Sequence, residues 1–239
     1  MIAETLQQQA QASPTSAGDG DSLTRGGGED QAAALRLAMA AAATDLPRIE
    51  AAVREILLAV GEDPDRPGLR DTPARVARAY AELFSGVGRS PAVHLGRVFE
   101  QNTDDAVIVR DIDFFSLCEH HLLPFFGQVH VAYLPAQGQV VGLSKLARAV
   151  ETYALRPQMQ ERFTEQIADA LNEHLQARGV AVIVEGEHFC MKMRGVRQRN
   201  ARMVTSSFRG RLAQDMSLKA VTLSLMGRPE AGHRRALEC

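Results

Sequence analysis

The sequence predicts an α+β fold, an antiparallel four-stranded sheet with two long helices on one face, preceded by an N-terminal helical arm. Three observations predict it. Residues 106–117 and 126–134 are rich in Val, Ile, Phe and Tyr, with Val129, Val131 and Tyr133 alternating against Gln128, His130 and Ala132; 180–193 and 201–208 read as strands again. Apolar residues recur at 3.6-residue spacing over 143–155 and 158–177, with Phe163, Ile167, Ala170, Leu171 and Leu175 marking the second helix. The order strand, strand, helix, helix, strand, strand then suits an antiparallel sheet covered on one side.

Each element follows from its residues. Positions 1–30 are rich in Gln, Ser, Gly and charge, with hardly any large apolar side chains, so burial cannot offset their ordering entropy and a disordered tail is expected. Positions 31–90 form a helical region. Residues 31–43 are Ala-rich, Pro47 interrupts them, and Ile49, Val53, Ile56, Leu57 and Val60 resume the apolar spacing. Thr72 reads as an N-cap with Pro73 at the first helical position, opening a helix to about Phe84. The remaining 91–239 form one domain. In it 118–125 joins the first two strands, Pro157 starts the second long helix, Gly179 fits its end, and 212–225 reads as a terminal helix.

Composition narrows the function. A chain of 239 residues, 45% hydrophobic, can bury one substantial core. Its 27 Lys and Arg against 29 Asp and Glu leave a net charge of −2, which gives no reason to expect a nucleic-acid or membrane-surface binder. Any anion site must be built locally. The N-terminus lacks the basic start and apolar run of a signal peptide, and no apolar stretch is long enough to span a bilayer, so a cytoplasmic protein is expected. Three cysteines cannot all pair with one another and read as thiols or thiolates.

The chemistry concentrates in two clusters. Catalytic zinc sites combine three protein ligands with one open position, and two Cys with one His is an accepted set. Cys118-Glu119-His120-His121 puts a thiolate and an imidazole three residues apart at a strand end. His188 and Cys190, two apart in the expected strand, would leave the same face of the sheet and supply a third ligand with a free histidine beside it. Alone, each cysteine would read as a small buried core residue and each histidine as a surface group; two clusters mixing both types favour zinc held by Cys118, His121 and Cys190. His120 and His188 then remain as candidate acids and bases beside the metal, or as its supports.

A basic set lies nearby in sequence. Ser144 and Arg148 share a helix face with Lys145 adjacent, Arg194 follows Cys190 by four, and Arg75 and Arg78 make a second pair. Any one of these alone would be a solvated surface charge. Gln160-Glu161 lies in the first turn of the second long helix, where a carboxylate is favourable through the helix dipole alone.

These residues resemble the GTP cyclohydrolase I family, through CEHHLLPFFG at 118–127, VVGLSKLAR at 140–148, RPQMQERFTEQIADAL at 156–171, HFCMKMRGV at 188–196 and VTSSFRG at 204–210, with DTPARVARAY at 71–80 adding to them. The resemblance implies a tunnelling-type fold for 91–239 and a toroidal homodecamer with active sites between subunits. It also implies conversion of GTP and water to 7,8-dihydroneopterin triphosphate and formate, feeding folate or tetrahydropterin synthesis. Carried over by motif, Cys118, His121 and Cys190 are the ligands of one zinc ion per subunit, and His120 and His188 are catalytic. Glu161 with Gln160 anchors guanine, Ser144 contacts ribose, and Lys145, Arg148 and Arg194 contact the triphosphate, which Arg75 and Arg78 reach from a neighbouring subunit. The first ~45 residues and the tail after Gly210 depart from the family pattern. The competing expectations are a sister tunnelling-fold enzyme acting on another pterin or deazapurine, and a non-catalytic zinc-stabilised assembly module with a closed four-ligand site.

Overall fold

The computed structural model describes residues 44–227 except Asn102. The expected tail over 1–30 and the Ala-rich helix over 31–43 lie outside the described residues. The first helix described, α1, spans Leu46–Ala59 and is capped by Asp45, which accepts from the Arg48 N–H at 3.1 Å. Pro47, expected to interrupt this region, sits in its first turn, where a missing N–H leaves no helical bond unmade. Helix α2, Thr72–Leu83, packs against α1. Its cap position falls on Asp71 rather than Thr72, and the Asp71 carboxylate pairs with Arg75 at 3.2 Å instead of capping.

A short helix α3, Ala92–Leu95, leads to β1, Val98–Glu100. The main sheet is built from β2, Val107–Cys118, and β3, Pro124–Leu134, joined later in the chain by β6, Gly179–His188, and β7, Met203–Gly210. These four pair antiparallel in the order 2-3-6-7. Two features correct the four-strand expectation. A two-residue strand β5, Pro157–Gln158, joins the outer edge of β2 in parallel, with Cys118 opposite Gln158. A separate ribbon pairs β1 with β4, Gln139–Val141. Both are too short to carry a readable periodicity. The β2–β3 register breaks between Val109 and Ile112, a bulge where Asp111 takes a φ of +59°.

Helices α4, Leu143–Ala154, and α5, Gln160–Leu175, cover one face as their spacing predicts. Val129, Val131, Tyr133, Val180, Val182 and Val184 from the sheet pack with Leu146, Val150, Phe163, Ile167 and Leu171 from the helices. Phe114 sits at the centre, 5.6 Å from Phe125 and 4.9 Å from Phe163 between ring centroids. Burying each such side chain is worth about 1.5–3 kcal/mol.

After β6 the chain forms a single helical turn, α6, Phe189–Lys192. On the opposite face Ala132, Leu134 and Ala181 meet Leu212 of α7, Arg211–Gln214, and Met226 of α8, Met216–Met226. The single terminal helix expected over 212–225 is thus two, because the Asp215 carboxylate accepts from the Ser217 and Leu218 N–H groups at 3.0 Å and restarts the helix. Among the described residues no helix is long and apolar enough to cross a membrane.

Candidate active site

The sheet brings three chain segments to one end of its helix-covered face. Strand β2 ends at Cys118, and the backbone turns back at once, with the Leu122 N–H donating to the Cys118 carbonyl at 2.8 Å and the Cys118 N–H to Leu123 at 2.9 Å. Leu122 adopts a φ of +51°, a left-handed conformation unfavourable for a branched side chain. The turn sets His121 beside Cys118. From across the sheet, His188 closes β6 directly opposite Phe125 of β3.

Cys190 arrives differently from the sequence expectation. Strand β6 stops at His188, so Cys190 lies in the α6 turn and not two residues along a strand. The physical reason is that β6 runs out of partners. Its pairing with β7 ends at Gly186–Met203, and its pairing with β3 ends at Phe125–His188, next to Pro124, which has no N–H to offer. The helical turn still points Cys190 to the cluster: ligand atoms of Cys118, His121 and Cys190 all lie within 4.8 Å of one another. Burial, followed by the neighbouring Cys118, pushes the Cys190 thiol up from its ordinary pKa. A divalent cation held there would compensate the charge on the ionised Cys190 thiol.

Around the cluster the side chains are mutually held. His120 Nδ1 lies 3.7 Å from Cys118 Sγ, and Arg194 Nη1 lies 3.2 Å from His121 Nε2. The His188 ring stacks on Phe125, with centroids 4.6 Å apart and planes inclined by 8°. Burial lowers the His188 pKa, opposed by the negative charge of the exposed Glu161. His188 also lines a recess of ≈ 230 Å³ with Met191, Ala201, Arg202 and Met203. Gln160 is 1% exposed and bonds to His188 Nε2 at 2.9 Å. Its side chain is therefore inside the wall of the site and not on its surface.

Further residues, not singled out in the sequence, hold the site. Arg162 pairs with Glu119, the second residue of CEHH, and donates to Gln158 Oε1 at 3.2 Å, tying the ligand turn to α5. That pairing keeps the Glu119 carboxyl below its usual range. Glu187 accepts from Lys192 at 2.6 Å and Arg202 at 2.7 Å, anchoring both ends of the exposed loop that carries Arg194. These bonds, led by Lys192, depress the Glu187 pKa.

The remaining expected site residues lie elsewhere in the chain. Ser144 and Arg148 are exposed and Lys145 is half-buried; none of these side chains makes a hydrogen bond or ion pair among the described residues. Arg148 borders a cavity of ≈ 270 Å³ with Asp113, Phe115 and Glu151 at the outer edge of β2. Arg75 and Arg78 are exposed on α2.

Comparison with known proteins sharpens this picture. The family model described as GTP cyclohydrolase I matches residues 49–227. "GTP cyclohydrolase 1" of Desulforamulus reducens is 56% identical over 182 residues, 76% of this chain and 97% of that protein. The protein of the same name from Thermobifida fusca is 56% identical over 189 residues, covering 79% and 91%. All five motif stretches fall inside the matched span, and so do the three cluster residues. Matched along three quarters of its length and more than half identical to these relatives, the chain belongs to the GTP cyclohydrolase I family.

Proposed function

We propose that this chain converts GTP and water to 7,8-dihydroneopterin triphosphate and formate, the entry step to folate or tetrahydropterins. The observation that carries the reading is the convergence of Cys118, His121 and Cys190 with two further histidines, in a chain of this family. Cys118, His121 and Cys190 would hold one zinc ion. Two thiols and an imidazole fit its preference, and three ligands leave the open position that distinguishes a catalytic site from a structural one. When bound, zinc makes water nucleophilic near neutral pH.

The chain's own groups do the rest. His188, which burial favours in its neutral form, accepts and returns protons as the guanine imidazole ring opens and formate leaves; His120 assists from beside Cys118. Glu161, exposed in the first turn of α5 and close enough to bias His188, accepts from the N1–H and 2-amino groups of guanine. Adenine offers neither donor. Ser144 contacts ribose, and Lys145, Arg148 and Arg194 hold the triphosphate with Arg75 and Arg78. Ser144, Lys145 and Arg148 share no bond with the cluster within one chain, which supports a homo-oligomer, a decamer by family resemblance, whose neighbouring copy brings them to it. The tunnelling-type architecture and a cytoplasmic location belong to the same reading, with no nucleic-acid or membrane partner.

Formate release from GTP by zinc-loaded protein tests the activity, with ATP as the control; absence of release from GTP refutes it. Glu161→Gln tests base recognition. A donor facing a donor should lower kcat/KM by roughly 10–100-fold, from about 1–3 kcal/mol for an unpaired buried group, with the thermal midpoint intact. A carboxylate serving only the helix dipole would instead cost about 0.3–1 kcal/mol of stability and leave kinetics normal.

A further inference from the structure

We propose that Gln160 is a positioning residue for His188 and not a contact to the base: it fixes His188 in the tautomer protonated at Nε2, so that proton exchange runs through Nδ1 alone. The inference rests on the reading of His188 as a proton-transfer group. Its evidence is the direction of the hydrogen bonds around one buried amide.

The Gln160 side chain lies between α5 and the β6–β7 pair. Its Nε2 faces the Val184 carbonyl at 3.0 Å, the Met203 carbonyl at 3.0 Å and Thr205 Oγ1 at 3.2 Å. Carbonyl oxygens can only accept. The opposite orientation of the amide would point its own oxygen at two carbonyl oxygens 3.0 Å away, an unfavourable contact in a site where an unmet polar group is costly. The two threonines agree with this direction. Thr164 Oγ1 donates to the Gln160 carbonyl at 2.7 Å, so in its 2.6 Å contact with Thr205 it must accept, and Thr205 donates. Thr205 then keeps a lone pair for the Gln160 amide. The two amide protons are shared among these three acceptors, and the group left over is Gln160 Oε1, an acceptor, 2.9 Å from His188 Nε2. An acceptor there requires a proton on Nε2.

Two more observations point the same way. The stack on Phe125 holds the plane of the His188 ring and so keeps its edge toward Gln160. Gly186, opposite Met203 in the β6–β7 register, leaves the space the amide oxygen fills; a Cβ at this position would collide with Gln160 Oε1 and come within 3.6 Å of His188 Nε2. Glycine here serves the close approach of the amide, since nothing in its backbone conformation demands it. A fixed tautomer matters because a single imidazole that both takes a proton from water and returns it must use the same nitrogen for both, within reach of both partners.

The test reads the tautomer directly. Zinc-loaded full-length protein with ¹⁵N- and ¹³C-labelled histidine is studied well above the ordinary imidazole pKa of about 6.5, the His188 signals being assigned by their loss in His188→Ala. The wild type should show the Nε2–H pattern; an Nδ1–H pattern overturns the proposal. Gly186→Ala should drive the amide away and shift His188 toward Nδ1–H. It should lower kcat for GTP by about 10–100-fold while KM and zinc content stay as in the wild type. Gln160→Leu should do the same; a raised KM with unchanged kcat would return Gln160 to the base site and overturn the proposal. Thr205→Val leaves the two carbonyls in place and should leave the tautomer unchanged. A switch there would show that the carbonyls do not set the amide, and would overturn it too. If His188→Ala turned over GTP at the wild-type rate, the proton-transfer premise would fail by kinetics, separately from the tautomer pattern.

Discussion

The metal end of the sheet and the outward side of α4 both carry residues expected to meet the substrate, yet they are built on opposite principles. At the Cys118–His121–Cys190 end, the side chains are held by one another: His188 by Phe125 and Gln160, His121 by Arg194, Glu119 by Arg162. On α4, Ser144, Lys145 and Arg148 are held by nothing among the described residues. The difference follows what each chemistry tolerates. Proton transfer and metal ligation need atoms fixed to fractions of an ångström, so neighbours must restrict them. A triphosphate is a spread charge that several flexible cations can find from different starting positions, and these cations order when it arrives.

The strongest test of this contrast is at the held end. Cys118→Ser and Cys190→Ser should each lose most bound zinc, and with it the turnover of GTP, measured by metal analysis of protein purified without added zinc. The wild type should hold close to one ion per chain, and full occupancy in both variants would break the assignment. A smaller effect is expected at the unheld end. Arg148→Ala should raise KM for GTP by about tenfold, from a charge-assisted bond of about 1.5–3 kcal/mol, and leave kcat and the thermal midpoint unchanged. The penalty should shrink as salt is added, because the contact is exposed. A fall in kcat with an unchanged KM would mean that Arg148 is a positioned group after all, and the contrast would collapse.

The smallest effect separates being held from being functional. His130, on the face away from the cluster, is 8% exposed and accepts from the Asp111 N–H at 3.1 Å. Burial lowers its pKa, against the opposing pull of the Asp111 and Glu185 carboxylates, with Arg110 adding slightly to the depression. A depressed histidine favours the fold in its neutral form. Its contribution is therefore complete above the unfolded value of about 6.5 and is lost as pH falls from there through the folded value. Between pH 7.5 and 5.5 the thermal midpoint should drop less in His130→Asn than in the wild type, by ~2–4 °C per kcal/mol of linkage removed, while GTP turnover at neutral pH is unaffected. An equal drop in both proteins would assign the acid sensitivity elsewhere.

What was legible in the sequence tracks how local each feature is. Cys118 and His121 belong to one turn, and the helices α4 and α5 announce themselves by spacing, so both could be read directly. Cys190 was expected in a strand because 180–193 reads as one continuous strand. What ends the strand is the end of its pairing, with β7 at Met203 and with β3 at Phe125 next to Pro124, which only the register reveals. Gln160 shows the same limit. Beside Glu161 it reads as a polar residue facing the substrate, but its direction is decided by the Val184 and Met203 carbonyls, from strands 24 and 43 positions further along the chain. Strand β5 carries no pattern at all in two residues, one of them proline.

The pairing of β3 with β6, which sets Phe125 against His188, also governs timing. Helices α1 and α2 meet through neighbouring stretches of chain and can form as soon as both exist, whereas β3 finds β6 only across a long loop whose closure is slow. During synthesis Cys118 and His121 leave the ribosome well before Cys190 does. For that interval the nascent chain presents one thiol and one imidazole without their third partner. The proposed zinc site is therefore completed late, when the long-range sheet has closed.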